Sequence, residues 1–152
     1  TSQTHLESHT MPNLQAGLAK RSGSADNFVT TIGAIVGIHD GSDESIHRTD
    51  AVVRGLLGFY GSTPAYRPVL ETHGWGDLQP ELRRLTKEGH WDQLGSVFNA
   101  EQVETLSTVG KAEEVGMELK ARFGGIADRL ALSIPQGISM ADLSILVEAV
   151  KH

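Results

Sequence analysis

The chain contains one run that is apolar on both faces, FVTTIGAIVGI, from Phe28 to Ile38. The run is rich in β-branched residues, which pack well in strands, and polar residues interrupt it only at two threonines. A strand inside a parallel sheet has this composition because helices cover both of its faces. The run therefore predicts a buried parallel strand over residues 28–38, and with it an α/β fold.

A second strand candidate runs from Arg129 to Ile134, and helical patterns separate it from the first. Strands that are far apart and joined by helices are typical of parallel pairing through a helical crossover. Between them lies a long insertion over residues 59–108, and after them a final helix over residues 139–151. We expect one helix-rich unit over residues 1–152, with two main parallel strands at 28–38 and 129–134.

Length, charge and cysteine content limit the possible functions. With 152 residues the chain is too short for a complete (β/α) barrel, which typically needs about 250. Two parallel strands leave open sheet edges, so we expect completion by self-association or by an N-terminal half outside this chain. A net charge of −6 disfavours nucleic acid, and no apolar run approaches a membrane span. The absence of cysteine excludes thiolate metal sites and fits a cytoplasmic location.

Four of the eight Phe, Trp and Tyr rings fall in what we call the aromatic segment, residues 59–78, which includes FYGSTPAYRP and HGWGDL. Large rings placed with Pro and Gly in a connection are typical of a pocket lining or a contact surface. The candidate pocket residues are Tyr60, Ser62, Thr63, Tyr66, Arg67, His73 and Trp75.

These candidates have two interpretations. In the functional interpretation, the residues from Tyr60 to Arg67 line the substrate side of a pocket, and Arg67 binds a phosphate or carboxylate through its guanidinium. His73 and Trp75 then cover a flat cofactor. In the structural one, the rings are packing residues and Arg67 is a surface charge near Glu71. The sequence leaves both open.

The seven histidines form no recognisable metal motif. His5 and His9 are spaced i, i+4 and so share one helix face, but no HExxH pattern accompanies them. We predict no metal site and expect both residues to be solvated. The sequence also lacks a P-loop, a GxGxxG fingerprint and a GxSxG elbow, so the catalytic residues stay unknown.

The aromatic segment carries a resemblance to a known family. Several segments resemble, in order, the C-terminal part of luciferase-like flavin and deazaflavin oxidoreductases. They are Pro12 to Leu18, the strand run, Phe59 to Arg67, His73 to Leu78 and Ala127 to Leu130. The similarity covers residues 6–135 and points to the coenzyme F-420-dependent branch. One departure is Lys111-Ala112 after Gly110, where members of that family have Thr-Pro.

The resemblance implies a partial (β/α) TIM-barrel-like unit, with residues 28–38 as the seventh strand and residues 129–134 as the eighth. It implies an oxidoreductase or monooxygenase that uses coenzyme F-420 or FMN for hydride transfer with a small-molecule substrate. In that family most coenzyme contacts come from the first six strands, so this chain alone would not complete the active site. The alternative is a non-catalytic truncated barrel module that self-associates as a homo-oligomer.

Overall fold

The computed structural model describes residues 1–24, 27–135 and 137–151, and these form a helix-rich α/β structure. Its elements in chain order are α1 (Gln3–His5), α2 (Met11–Ala19), β1 (Thr31–Ile38), α3 (Asp43–Ser62), α4 (Arg67–Thr72), α5 (Leu78–Glu88), α6 (Ala100–Leu106), β2 (Thr108–Gly110), α7 (Ala112–Phe123), β3 (Arg129–Ser133) and α8 (Met140–Lys151). A π-helical turn over Leu6–Thr10 joins α1 to α2, and 3₁₀ segments cover Pro64–Tyr66 and Trp91–Val97. None of the helices in the described ranges has the length and hydropathy that crossing a bilayer requires.

The strands of the described residues form one parallel sheet in the order β2-β1-β3. β3 pairs with the first part of β1, from Thr31 opposite Arg129 to Ile35 opposite Ser133. β2 pairs with the end of β1, where Ile38 lies opposite Gly110. The α/β class is therefore confirmed. The prediction of two strands is short by one, because the three residues of β2 are too few to show a hydrophobic period.

Helices cover both faces of this sheet. Side chains alternate along β1, and Ile32, Ala34 and Val36 belong to a core cluster that includes α7 and α8. Ile35 points the other way and packs against a second cluster from α3, α4, α5 and α6. We call these the first and second faces of the sheet. Coverage of both faces explains the nearly continuous apolar sequence of β1.

The strand and helix boundaries differ slightly from those predicted. Phe28 and Val29 are exposed and precede β1, because pairing with the β3 side begins at Thr30, whose carbonyl accepts the N–H groups of Asp128 and Arg129. β3 ends at Ser133, one residue before the predicted end. The final helix begins at Met140, after Ser139 accepts a hydrogen bond from the N–H of Asp142 at 3.0 Å.

The aromatic segment is mostly helical, which corrects its interpretation as an irregular connection. α3 continues through Phe59 and Tyr60 to Ser62, and a 3₁₀ segment begins at Pro64. The α-helix stops because Thr63 precedes a proline, which disfavours helical backbone angles, and Thr63 is extended. The helix end therefore fixes where the rings of this segment point.

Candidate functional site

The main candidate site is a cavity of about 320 Å³ between the second face of the sheet and the helices above it. We call it the second-face cavity. Gly33 and Ile35 of β1 lie on the sheet side, and Leu57 and Tyr60 of α3 lie on the helix side. Tyr66, Val69, Leu70, Phe98, Leu106 and Ser133 contribute further lining. Its volume falls within the range of small-molecule sites, about 300–1,000 Å³.

The cavity exists because α3 touches the sheet at one end and diverges from it at the other. At Gly37 the helix is so close that an added Cβ would lie 2.6 Å from Thr49 Cγ2 and 2.9 Å from Val53 Cγ2. At Gly33 an added Cβ would meet nothing nearer than the Ala131 carbonyl oxygen at 4.0 Å. The two glycines lie on the same face of β1, so the space opens along the strand from Gly37 towards Gly33.

Tyr60 and Tyr66 meet at this cavity in an edge-to-face arrangement. Their ring centroids are 5.3 Å apart with an interplanar angle of 78°, and Tyr60 makes a similar contact with Phe59 at 5.5 Å. Such pairs are stabilising beyond the area they bury. Within the described residues, neither tyrosine hydroxyl makes a hydrogen bond, so both are available to a bound molecule.

Ser62 and Thr63 lie beside the cavity without lining it. The Ser62 hydroxyl donates to the Phe59 carbonyl at 2.7 Å, and the Thr63 N–H donates to the Tyr60 carbonyl at 3.0 Å. The Thr63 carbonyl in turn accepts the N–H of Tyr66 at 3.0 Å. These bonds form the turn that brings the two tyrosines together, so both residues act as positioning residues.

Arg67 is not part of the cavity lining. Its Nε donates to Glu71 Oε1 at 2.7 Å, and both side chains are roughly half exposed. The spacing is i, i+4 on α4, a geometry that stabilises a helix by only a few tenths of a kcal/mol, about 0.3–0.5. The contact fits the interpretation of Arg67 as a surface charge near Glu71.

His73 and Trp75 stack on each other and are not among the residues that line the cavity. Their ring centroids are 4.7 Å apart with an interplanar angle of 22°. His73 Nε2 also lies 2.7 Å from the hydroxyl of Ser2, and Trp75 packs against the second-face cluster. The pair therefore supports the N-terminal helical region rather than covering the second-face cavity.

The docking of the N-terminal helices on α4 is a feature that the sequence did not indicate. His5 Nδ1 lies 2.7 Å from the hydroxyl of Thr72, and its ring stacks on His9 at 5.1 Å. His5 is partly buried, which corrects the expectation that it is solvated, whereas His9 is exposed. In the part of the chain that the structure describes, no group of three or more His, Asp or Glu side chains could hold a metal ion.

The docked histidines predict a loss of stability on acidification. Burial lowers the pKa of His5, and positive charge on His9, the N-terminus and His73 lowers it further. Burial also lowers the pKa of His73, and the negative charge of Glu101 partly opposes that change. A lowered pKa means that the fold favours the neutral rings. Their contribution is therefore present above the ordinary pKa of about 6.5 and is lost as the pH falls below it.

Urea unfolding between pH 8 and pH 5 measures this effect. We expect the free energy of unfolding to fall below pH 6.5, and the double variant His5→Gln, His73→Gln to show a smaller fall. His47→Gln removes an exposed histidine of α3 and should keep the parent profile. An unchanged profile in the double variant would show that this docking does not sense pH.

Comparison with curated proteins finds relatives without an assigned activity. The uncharacterized protein Rv1360 of Mycobacterium tuberculosis and the uncharacterized protein Mb1395 of Mycobacterium bovis are each 38% identical over 130 residues. The aligned region is 85% of this chain and 38% of each relative, so the chain spans well under half the length of these proteins. No family profile and no solved structure matches the chain.

Proposed function

We propose that this chain forms the substrate side of a luciferase-like oxidoreductase that uses coenzyme F-420 or FMN for hydride transfer. The observation that carries the proposal is the second-face cavity, which Tyr60 and Tyr66 line together with β1. Both tyrosines belong to the segment with the most specific resemblance to that family. A cavity walled by aromatic rings with few polar groups is a common form of small-molecule site.

The cavity suits a substrate better than the whole coenzyme. Aromatic and aliphatic walls fit a flat ring, but no lysine or arginine side chain lines the cavity to meet the phosphate that both coenzymes carry. In the proposed enzyme the coenzyme supplies the hydride chemistry, and this chain orients the substrate and excludes water. The phosphate would be held by residues of other strands.

Those strands come, in this proposal, from a second copy or from a longer polypeptide. β2 pairs only with the last three residues of β1, so Thr31 to Ile35 have a strand partner on the β3 side alone among the described residues. Open edges of parallel sheets favour further pairing. The partial barrel, the homo-oligomer and the cytoplasmic location also belong to this proposal. The greater length of the relatives supports a longer polypeptide as one source of the strands.

A second candidate function is a non-catalytic module that self-associates. The observation in its favour is that α3 covers the second face of the sheet at Gly37, Thr49 and Val53. In a barrel wall helices cover only the outer face, and the other face lines the barrel interior. At this end the second face of the sheet is already covered by the chain's own helix, whereas it stays exposed at Thr31 and Gly33. The covered end favours a unit that does not need a barrel to complete it.

Titration with F-420 and with FMN, read by fluorescence with the mass measured by light scattering, separates the two functions. The oxidoreductase proposal expects saturable binding of one coenzyme by an oligomer. Trp91→Ala, which removes an exposed ring outside the second-face cavity, should bind the same coenzyme equally well and serves as the control. A stable oligomer that binds neither coenzyme would support the non-catalytic module and contradict an oxidoreductase whose missing strands come from second copies of this chain.

A further inference from the structure

The second-face cavity has a distinctive balance of polar and apolar groups. No Asp, Glu, Lys or Arg side chain is among the residues that line it. The polar side chains there are the hydroxyl groups of Tyr60, Tyr66, Ser133 and Thr1. Since a charge buried without a partner is costly, such a lining disfavours charged ligands.

The charged side chain nearest in sequence is engaged elsewhere. Arg67 follows Tyr66 directly, but its guanidinium pairs with Glu71 at 2.7 Å. Its charge is therefore already paired, and it offers an anion no free positive partner inside the cavity.

We infer that the second-face cavity binds an uncharged, largely apolar small molecule, which enters between Tyr66 and the sheet at Gly33. Tyr66 is 45% exposed while lining the cavity, so it borders the opening. The free hydroxyls of Tyr60 and Tyr66 can bond a single polar atom of the ligand. This inference deepens the proposed function, on which the role of the ligand as a substrate rests.

Two probes that share one ring system test the charge preference. N-phenyl-1-naphthylamine is uncharged and becomes fluorescent in an apolar site, and 8-anilino-1-naphthalenesulfonate is the same molecule with a sulfonate. We expect saturable binding of the uncharged probe, and binding of the sulfonate that is about tenfold weaker or more, because the lining offers the anion no cation. Equal or tighter binding of the sulfonate would overturn the inference.

Gly33→Val tests the location. Its side chain would project from the second face into the cavity, and the free space around the Gly33 Cβ position means that the fold can accept it. We expect affinity for the uncharged probe to fall about tenfold or more, as when a hydrophobic pocket loses the volume of a methyl group or two. Thr31→Val adds a methyl in place of a hydroxyl on the same face, outside the cavity, and should bind like the parent.

Thermal unfolding of both variants confirms that the comparison is between folded proteins. Absence of saturable probe binding by the parent, or unchanged binding by folded Gly33→Val, would overturn the inference. If Gly33→Val unfolds, Gly33→Ala is the smaller replacement and should weaken binding less but measurably. The probe is read without coenzyme, so a failed coenzyme titration and a failed probe titration are separate results.

Discussion

Replacing Gly58 with alanine should lower the free energy of unfolding by about 2 kcal/mol or more, although alanine is the better helix former by about 1 kcal/mol. Gly58 lies in α3 at the point where the 3₁₀ segment Trp91–Val97 packs across this helix. An added Cβ would lie 2.5 Å from Leu94 Cβ and 3.1 Å from the Leu94 carbonyl carbon and oxygen. Backbone atoms are among these neighbours and Leu94 is buried, so the clash must separate the two segments.

Gly55 is the matched control in the same helix. A Cβ there would meet no atom within 4 Å, so Gly55→Ala should keep or raise stability, by up to about 1 kcal/mol. Chemical denaturation of the two variants measures both effects. Equal stabilities would mean that the 3₁₀ segment does not pack on α3 at Gly58, and the second-face cluster would then need another arrangement.

Replacing Gly37 with valine should lower the free energy of unfolding by about 3 kcal/mol. The change is expected to push α3 off the sheet, because Thr49 and Val53 already occupy the space that a Cβ at Gly37 would take. It would also disturb the hydrogen bond from the Thr49 hydroxyl to the Ile38 carbonyl at 3.1 Å. Urea unfolding with intrinsic fluorescence as the signal measures the loss.

Gly33→Val is the control for this second prediction, since Gly33 lies on the same strand and face with free space around it. Valine is also favoured over glycine in strands, so Gly33→Val should be neutral or stabilising. A Gly37→Val variant as stable as Gly33→Val would indicate that α3 does not pack on the sheet at Gly37.

Structure that depends on close sequence neighbours is the part of this fold that a sequence can predict. Ser42 caps α3 through the N–H of Ser45, and Asn99 and Gln102 form both bonds of a capping box at 2.9 Å, because these contacts join residues only three apart. The composition of residues 28–38 predicted a doubly covered strand for a similar reason. In each case the sequence neighbours themselves supply the physical cause.

Contacts between distant residues were beyond these patterns. The bond between Ser2 and His73 joins residues 71 positions apart, and nothing in either neighbourhood requires it. Of the seven candidate residues of the aromatic segment, only Tyr60 and Tyr66 line the cavity. Which of the seven meet there depends on contacts with distant elements, and their sequence neighbours do not determine it. Arg67 turns to Glu71 because an acidic partner lies one helical turn away.

The central claim is that the second-face cavity holds the substrate of a coenzyme-dependent oxidoreductase, and simultaneous binding tests it most directly. Coenzyme F-420 absorbs in the region where bound N-phenyl-1-naphthylamine emits, so energy transfer reports that both occupy one assembly. The account predicts sensitised F-420 emission in the parent protein, and F-420 binding that persists in Gly33→Val while the probe is lost. Displacement of the probe by F-420 would contradict it, and so would the absence of F-420 and FMN binding both in assemblies of the chain and in a longer polypeptide that supplies the missing strands.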